Sequence, residues 1–491
     1  MEGIAIVTVF GILLRWGVSL FPYSGAGKPP MYGDYEAQRH WQEITMNLPI
    51  KDWYINGTDN DLLYWGLDYP PLTAYHSYVC GLVAKLINPA FIALHSSRGY
   101  ESYEHKLFMR YSVFLVDLLV YIPAALMFMR ISGKNKAGKN GSMMNYAMLM
   151  IYPGIFLIDY GHFQYNNASL GLLIAAVTAI MSGKDCLASV FFSLALNYKQ
   201  MELYHALPIF FYLLGTCIKQ GSFTGFVVKL IKIGITVVLT FTIVWAPLLT
   251  DLDAFLQVVG RLFPFNRGLF EDKVASVWCS LSVLIKFKNL FDNSQMALIC
   301  LVTTAVCVIP SSIHLFLNPT HRALKYALVN SSLIFFLFSF HVHEKSILLA
   351  TIPACLIFTE EHFTVTWFFL VSNISMLPLL VKDGLEIPTL ALTVLTFIVS
   401  NNLGRGNSSK TENTDNLWNS LQWFSYYLSL IGLAVLSISS LTIAPPARYP
   451  DLFPVLISIY SCAHYCIFCV YFHYRQFKIK FNREINKQKI Q

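Results

Sequence analysis

Two acidic residues in the polar segment 22–105 stand in sequence contexts that suit acid–base chemistry. Asp34 follows Gly33 at the start of a helical pattern, and Asp68 precedes Tyr69-Pro70-Pro71. A carboxylate held beside a substrate hydroxyl can act as a general base, and Asp68 would be a second carboxylate facing the first. A structural interpretation competes with this one, because Asp is common at helix N-caps and in turns. The residues alone leave both interpretations open.

The residues after Asp34 predict an amphipathic helix that lies on the membrane surface with Asp34 at its N-cap. Its apolar face has spacings of four, three and four residues: Ala37, Trp41, Ile44 and Leu48. Its polar face pairs side chains at i,i+4: Glu36 with His40, and Arg39 with Glu43.

Two further polar motifs stand at the ends of apolar segments. His162 and Gln164 belong to the first, and Lys199 and Gln200 to the second. Hydrogen-bonding groups at membrane depth are rare unless they line a cavity. Helix capping and interfacial tyrosines explain the first motif equally well, and Lys199 is either an anion contact or a side chain that snorkels to the interface.

Cationic side chains gather in two more segments, Arg267 with Lys273 and His343 with Lys345. Such side chains beside a membrane suit a lipid phosphate, to which they donate charge-assisted hydrogen bonds. A metal site is disfavoured, because His341 and His343 have no third ligand at a fixed spacing. We therefore expect neither a metal nor another cofactor.

The composition places these motifs in a polytopic membrane protein. Of the 491 residues, 55% are hydrophobic and only 13% are charged, whereas soluble domains carry about 25% charged residues. The net charge of +7 is spread over short connecting segments. This distribution indicates membrane orientation rather than binding of nucleic acid, for which no basic domain is present.

Fourteen apolar segments are candidate transmembrane helices, and they predict an all-α fold. The candidates are 4–21, 107–129, 143–158, 165–182, 186–198, 202–218, 226–249, 296–317, 323–340, 345–358, 363–381, 386–400, 420–443 and 451–474. The segment 274–285 is too short to cross and is predicted to be interfacial or re-entrant. We interpret 1–491 as a single membrane-embedded domain with spans 2–12 in 107–401, a flexible loop 403–418, the last two spans in 420–474 and a basic tail 475–491.

Alternate loops fall on opposite faces of the membrane. One set carries the basic residues, which predicts that this set and both termini are cytosolic. The other set contains 22–105, 159–167, 198–205, 250–275, 341–345, 382–388 and 444–451. All the unusual polar motifs therefore share one face. If Lys487 and Lys489 form a dilysine retrieval signal, rather than part of a solvated tail, that face is the lumen of the endoplasmic reticulum and Asn56 is the best-placed glycosylation acceptor.

Six motifs together resemble the endoplasmic reticulum α-1,3-glucosyltransferases that use dolichyl phosphate glucose. They are GAGKPPMYGDYEAQRHW at 25–41, YWGLDYPP at 64–71, HFQYN at 162–166, NYKQM at 197–201, RGLFEDKVA at 267–275 and VHEK at 342–345. The resemblance covers nearly the whole chain. It implies a C-type glycosyltransferase (GT-C) architecture with a large first luminal loop, a luminal active site and no metal requirement.

The activity that the resemblance implies is inverting transfer of the first glucose to the dolichyl-pyrophosphate-linked oligosaccharide Man9GlcNAc2, in an α-1,3 linkage. In that family the acid that matches Asp34 is the catalytic base, and the histidine that matches His343 lies near the donor phosphate. Lys345, Arg267 and Lys273 are further candidates for the phosphate. The expected substrate-binding residues are Arg39, His40, Trp65, His162, Gln164, Lys199 and Gln200.

Three alternatives remain at this point. The sister enzyme that adds the second glucose more often has a histidine at the position of His341. A transporter or flippase of lipid-linked sugars is a different class, but transporters place their polar sites near the bilayer midplane. A non-catalytic protein that only binds lipid-linked glycan is the third.

Overall fold

A computed structural model of the protein describes residues 2–134, 138–249, 252–263, 273–405 and 416–480. Every regular element in these ranges is helical, and they contain no strand. The all-α prediction is therefore confirmed for the described part of the chain. A helix suits a membrane because it satisfies its own backbone hydrogen bonds. Arg267 and most of the loop 403–418 and of the basic tail lie outside the described residues.

The first nine α-helices precede residue 200. They are α1 (Glu2–Ser19), α2 (Asp34–Asn47), α3 (Pro71–Ile87), α4 (Tyr103–Val116), α5 (Ile122–Ser132), α6 (Lys139–Ile151), α7 (Pro153–Phe156), α8 (Asn166–Met181) and α9 (Asp185–Tyr198). Two π-helical segments, Asp117–Tyr121 and Leu157–Phe163, interrupt this run.

Twelve more α-helices complete the described chain. They are α10 (Leu203–Ile218), α11 (Phe223–Trp245), α12 (Leu252–Leu262), α13 (Val277–Leu281), α14 (Asn293–Leu317), α15 (His321–Phe338), α16 (Leu348–Cys355), α17 (His362–Ser375), α18 (Leu377–Lys382), α19 (Glu386–Arg405), α20 (Asn416–Thr442) and α21 (Leu452–Phe477).

Ten helical stretches among the described residues are long and apolar enough to cross a membrane, and each coincides with one of the fourteen predicted spans. The other four predictions fall on α8, α9, α15 and α16, of which α8 and α9 are apolar but shorter. The segment 274–285 forms only the five-residue α13 and a turn, in line with the prediction that it is too short to span.

The chain divides into two compact units. The first comprises 1–203, 231–267 and 379–392, and the second comprises 204–230, 268–378 and 393–491. The prediction of one membrane-embedded glycosyltransferase domain is not tested by this division.

In the first unit, the segment 22–105 packs around an apolar core that it shares with α12. The core contains Trp41 of α2, Ala74 of α3 and Tyr54 from the loop between these helices. It also contains Val258 and Leu262 of α12. Burial of such large apolar side chains contributes roughly 1.5–3 kcal/mol each. Because the core fixes α2 against α3 and α12, the first residue of α2 has a defined position.

A buried ion pair also fixes the π-helical segment Leu157–Phe163 in the first unit. Arg15 Nε of α1 donates to Asp117 Oδ2 at 2.9 Å, and the Tyr160 hydroxyl donates to the same oxygen at 2.7 Å. The Arg15 and Asp117 side chains are 1% and 2% exposed. Removing one member of a buried ion pair is strongly destabilising, so we expect this contact to hold the segment that carries His162.

The second unit has a smaller apolar cluster and one polar cluster of note. Trp278 of α13 packs on Met296 and Cys300 of α14. Glu361, just before α17, accepts hydrogen bonds from Tyr471 at 2.7 Å and from Arg475 at 2.7 Å. These contacts tie α21 to the start of α17.

Candidate active site

Asp34 is the first residue of α2, and Gly33 is at the N-cap in extended conformation. The predicted N-cap position is therefore wrong by one residue. The backbone N–H of Asp34 donates to Ser24 Oγ at 3.3 Å. The entering loop is tight, because a Cβ at Gly25 (φ +76°) would lie 2.1 Å from the Tyr32 carbonyl carbon. The first turn still favours a negative charge through the helix dipole.

Two side chains from the π-helical segment and its end converge on the Asp34 carboxylate. His162 Nε2 lies 3.0 Å from Asp34 Oδ2, and Gln164 Nε2 donates to the same oxygen. The Asp34 side chain is 21% exposed, whereas that of His162 is 4% exposed. The carboxylate is therefore held on its protein side and remains accessible from the other.

Asp383 completes the arrangement and was not predicted. Its Oδ2 lies 2.6 Å from His162 Nδ1, and its side chain is 5% exposed. The alternation of loops predicts that 382–388 and Asp34 share one face, but no motif marks Asp383. The sequence marks Asp383 only as an acid in a short loop that is predicted to lie on the same membrane face as Asp34.

Phe163 has an unusual backbone conformation between the two residues that contact Asp34. Its φ is +91° and its side chain is fully buried. Non-glycine residues in this region are strained and often occur at functional sites. This conformation ends the π-helical segment, and the residues on either side of it, His162 and Gln164, both contact one oxygen of Asp34.

Lys199 fixes the orientation of the Gln164 amide. Its Nζ donates to Gln164 Oε1 at 2.9 Å and to Asn166 Oδ1 at 2.5 Å, and it lies 5.1 Å from the centroid of the Tyr69 ring. Lysine can only donate, so the amide oxygen faces Lys199 and the amide nitrogen faces Asp34. The Lys199 residue is 6% exposed; the snorkelling interpretation is wrong.

Asp159 lies in the predicted loop 159–167 and caps a helix, as the capping interpretation of the motif with His162 and Gln164 predicts. Its Oδ1 accepts from the Asn166 backbone N–H at 3.1 Å, and its Oδ2 accepts from the Asn167 backbone N–H at 2.7 Å. The motif therefore serves both purposes: Asp159 caps α8, while His162 and Gln164 contact Asp34.

Asp68 and Gln200 lie in the same neighbourhood. Gln200 Nε2 donates to the Asp68 backbone carbonyl at 2.9 Å, and the Asp68 residue is half-buried. Burial, and then the charges of Asp68 and Asp34, raise the pKa of the Tyr69 hydroxyl well above its usual range. Tyr69 is therefore within electrostatic range of both acids, and its hydroxyl remains protonated.

Trp65 connects two parts of the segment 22–105 through hydrogen bonds. Its indole N–H donates to the Met31 carbonyl at 2.5 Å, and its own carbonyl accepts from Trp41 Nε1 at 2.9 Å. Arg261 donates to the neighbouring Gly66 carbonyl at 2.8 Å. Trp65 is half-buried.

The polar face of α2 is buried inside protein, so the prediction of a helix lying on the membrane surface is wrong. Arg39 donates to Glu36 Oε1 at 2.6 Å, to Glu43 Oε2 at 2.7 Å and to Ser97 Oγ at 2.5 Å. The predicted pair of Arg39 and Glu43 is confirmed. Glu36 pairs with Arg39 rather than with His40, whose Nδ1 lies 3.1 Å from Glu43 Oε2.

Burial changes the interpretation of Arg39 and His40, which were expected to bind substrate. Both residues are 0% exposed. Burial by itself would raise the pKa of Glu43, but the hydrogen bond from His40 and the charge of Arg39 outweigh it and lower the pKa to about 2. This arrangement supports the shape of α2 rather than contact with a substrate.

The predicted phosphate-binding cations are not brought together with Asp34 in one unit. His343, Lys345 and Lys273 belong to the second unit, and Arg267 lies outside the described residues. His343 is exposed and precedes the 3-10 turn Glu344–Ile347. Lys273 Nζ lies 3.3 Å from Asp451 Oδ2. Their role at a phosphate stays a prediction.

Neither the expected absence of a metal nor the expected glycosylation site is tested. Within the described residues, no group of three or more His, Cys, Asp or Glu side chains could hold a metal ion. Asn56 and Thr58 of the acceptor sequence are both exposed, and Asn56 Oδ1 accepts from the Leu62 backbone N–H at 3.2 Å.

Known proteins are similar to this chain along nearly its whole length. The family described as "ALG6, ALG8 glycosyltransferase family" matches residues 8–471, a range that contains every residue of the site. The chain is 51% identical over 485 residues to the dolichyl pyrophosphate Man9GlcNAc2 alpha-1,3-glucosyltransferase of Gallus gallus, covering 95% of each chain.

Two other relatives have the same or a corresponding name and are similar to this chain over nearly its whole length. The Mus musculus protein of the same name is 48% identical over 493 residues, covering 96% of this chain and 95% of the relative. A Drosophila melanogaster protein, named "Probable dolichyl pyrophosphate Man9GlcNAc2 alpha-1,3-glucosyltransferase", is 45% identical over 470 residues. The match covers 96% of this chain and 97% of the relative.

Proposed function

The chain belongs to the ALG6, ALG8 glycosyltransferase family, and we propose that it adds the first glucose to the lipid-linked precursor of N-glycans. The acceptor is Man9GlcNAc2 on dolichyl pyrophosphate, which is the molecule in the names of its relatives. The donor is dolichyl phosphate glucose. The new linkage is α-1,3, and the configuration at glucose C1 is inverted.

In this reaction Asp34 is the general base. It takes the proton from the 3-hydroxyl of the terminal mannose while that oxygen forms a bond to C1 of β-linked glucose. The bond from C1 to the phosphate oxygen breaks, and dolichyl phosphate leaves with the electron pair. A positioned base contributes about 10²–10⁴-fold.

One observation carries the assignment of Asp34. Its carboxylate is held by His162 and Gln164 on one oxygen and is still 21% exposed. A carboxylate that served only the helix start would need neither contact. By contrast, Glu36 and Glu43 of the same helix are 3% and 0% exposed, so a substrate hydroxyl cannot reach them without unfolding.

The proposal gives roles to the other predicted residues as well. Asp68, Trp65 and Gln200 form the acceptor side of the site around Tyr69, while Arg39 and His40 shape α2 from behind. His343, Lys345, Arg267 and Lys273 stabilise the charge that develops on the leaving phosphate. Only a monophosphate leaves, so the scheme requires no divalent cation.

The membrane topology proposed with this function has fourteen spans in a GT-C architecture. Both termini are cytosolic, and the active site faces the lumen of the endoplasmic reticulum. The distribution of basic loops supports this orientation. The large first luminal loop, 22–105, contributes Asp34, and Asn56 on that loop is the glycosylation acceptor.

Purified full-length protein in liposomes with dolichyl phosphate glucose and the Man9GlcNAc2 lipid tests the proposal. We expect an oligosaccharide longer by one glucose, and an Asp34→Asn variant that folds and binds lipid but loses about 10²–10⁴-fold in turnover. The matched control is Asp59→Asn, an exposed acid 2.9 Å from His95 in the same segment. We expect this variant to keep full turnover.

Three outcomes of the same assay would contradict the proposal. Turnover of Asp34→Asn close to wild type would exclude Asp34 as the base. Movement of lipid-linked sugar without a longer product would indicate a transporter. Loss of activity with EDTA and its recovery with magnesium would contradict the metal-free scheme.

A further inference from the structure

His162 lies between two carboxylates, and this geometry fixes the number of protons that the three groups share. Its Nε2 is 3.0 Å from Asp34 Oδ2, and its Nδ1 is 2.6 Å from Asp383 Oδ2. An ionised carboxylate can only accept a hydrogen bond. Two hydrogen bonds therefore require two protons, which leave one net negative charge on the group of three.

The two carboxylates differ in their access to solvent. The Asp383 side chain is 5% exposed and the His162 side chain 4%, but that of Asp34 is 21% exposed. A substrate hydroxyl can therefore approach Asp34, whereas Asp383 contacts the reacting atoms only through His162. The arrangement makes Asp383 a positioning residue rather than a catalytic one.

Other charged and titratable groups face this arrangement from the neighbouring elements. Lys199 reaches it through Gln164, and Asp159 caps α8 nearby. The remaining neighbours are Asp68 with Tyr69, Lys28, which donates to the Lys382 carbonyl, and Arg110, which donates to the Gly161 carbonyl at 3.1 Å. Asp383 is the acid that contacts His162 Nδ1 directly.

We propose that Asp383 holds His162 in its doubly protonated form, and that this imidazolium keeps Asp34 ionised and oriented towards the acceptor hydroxyl. The inference rests on the proposed function of Asp34 as the base. Asp34 is then ready to accept the hydroxyl proton at the start of each turnover. The proton that Asp34 gains leaves through the exposed side of its carboxylate.

The proposal predicts the direction of a change in pH dependence. An amide at position 383 can donate to Nδ1, so His162 can become neutral and still donate from Nε2 to Asp34. The positive charge beside Asp34 is then lost, and its ionised form is less favoured. An opposite charge at this distance is worth about one to three pH units, so the acidic limb of the kcat profile moves to higher pH by that amount.

The experiment measures kcat and KM against pH for the full-length enzyme in liposomes with both lipid substrates. We expect Asp383→Asn to move the acidic limb upwards by about one to three pH units and to leave both KM values unchanged. His162→Gln keeps an N–H for Asp34 without a charge and leaves the Asp383 carboxylate in place, so we expect a shift at least as large. In the His162→Gln background, Asp383→Asn should add no further shift, because the two residues act as one unit.

The exposed pair of Asp59 and His95 supplies the matched control, since its two groups lie 2.9 Å apart but are 51% and 47% exposed. Asp59→Asn should leave the limb in place. An unchanged limb in both Asp383→Asn and His162→Gln overturns the inference, and so does a shift that adds in the double variant. If Asp383→Asn does not fold, His162→Gln alone decides. Normal turnover of Asp34→Asn would instead refute the proposed function.

Discussion

Helix α2 carries two groups of charged side chains, and their surroundings differ. Asp34 at its first residue is 21% exposed and is contacted by His162 and Gln164 from another part of the chain. In the middle of the helix, Arg39 holds Glu36 and Glu43, and all three residues are at most 3% exposed. One helix thus presents an accessible acid at its end and sealed acids behind it.

The partners of these acids explain what each group can do. Arginine stays charged at any relevant pH and binds carboxylates with a planar fork, so Arg39 fixes Glu36 and Glu43 permanently. Histidine has a neutral and a charged form, so the charge beside Asp34 depends on the other groups that contact His162. A high density of charged side chains therefore does not by itself identify a candidate active site. An acid that is accessible to substrate, and whose partner can change its charge, is the better indication.

Replacement of Arg39 tests the structural half of this comparison and should have the largest effect. Arg39→Met leaves Glu36 and Glu43 buried without the arginine that pairs with both, and loss of one partner of a buried ion pair typically costs about 3–5 kcal/mol. We expect a large loss of folded protein, measured as the yield of monodisperse protein and its thermal unfolding. Arg39→Lys should recover only part of the stability, because an ammonium cannot form the same fork. Full stability with reduced substrate binding would show instead that Arg39 contacts substrate.

Replacement of Lys199 tests the contacts of Asp34, the accessible acid in this comparison. Its effect should be intermediate. Lys199→Met frees the Gln164 amide to turn its oxygen towards Asp34. Loss of a hydrogen bond to a charged group costs about 1.5–3 kcal/mol, or roughly 10–150-fold in kcat. We expect a smaller loss than for Asp34→Asn, with KM unchanged, and no additional loss in a Gln164→Leu background. A rise in KM alone would identify Lys199 as a substrate contact.

The third prediction concerns the pH dependence of stability and has the smallest expected effect near neutral pH. It distinguishes the buried acids of α2 from Asp34. The pKa of Glu43 is lowered to about 2 from a usual value of 4.5. The stability it contributes is therefore present above about pH 4.5 and is lost as the pH falls towards about 2. We expect the difference in unfolding free energy between wild type and Glu43→Gln to stay constant from about pH 5 to 8, and to shrink below about pH 4.5. A difference that changes near neutral pH would contradict the assignment.

Much of this architecture was predictable because hydrophobic length and loop charge carry strong signals. All fourteen predicted segments fall on helices, and loops assigned to one face supply Asp34, His162, Gln164 and Lys199 to one site. The parity of spans predicted only that these residues share one face of the membrane, and the structure shows that they are neighbours. Family resemblance, rather than spacing, singled out Asp34 among the acids.

The errors have physical causes. The apolar stripe of α2 cannot distinguish a bilayer from a protein core, so the burial of its polar face was missed. Asp383 carries no motif, and its partner His162 lies 221 positions away in sequence. The capping residue was misplaced because Gly33 and Asp34 both suit a helix start, and backbone conformation decides between them.

The spread of the site along the chain has a consequence for biosynthesis. Asp34, His162, Lys199 and Asp383 come from four separate connections, and 349 positions separate the first from the last. At about 5–20 residues per second, a ribosome needs roughly 20–70 s to pass from one to the other. During that interval the nascent protein already holds Asp34, the proposed base, but not Asp383, which contacts His162. The group of Asp34, His162 and Asp383 is therefore complete only after α18 has been made, late in translation.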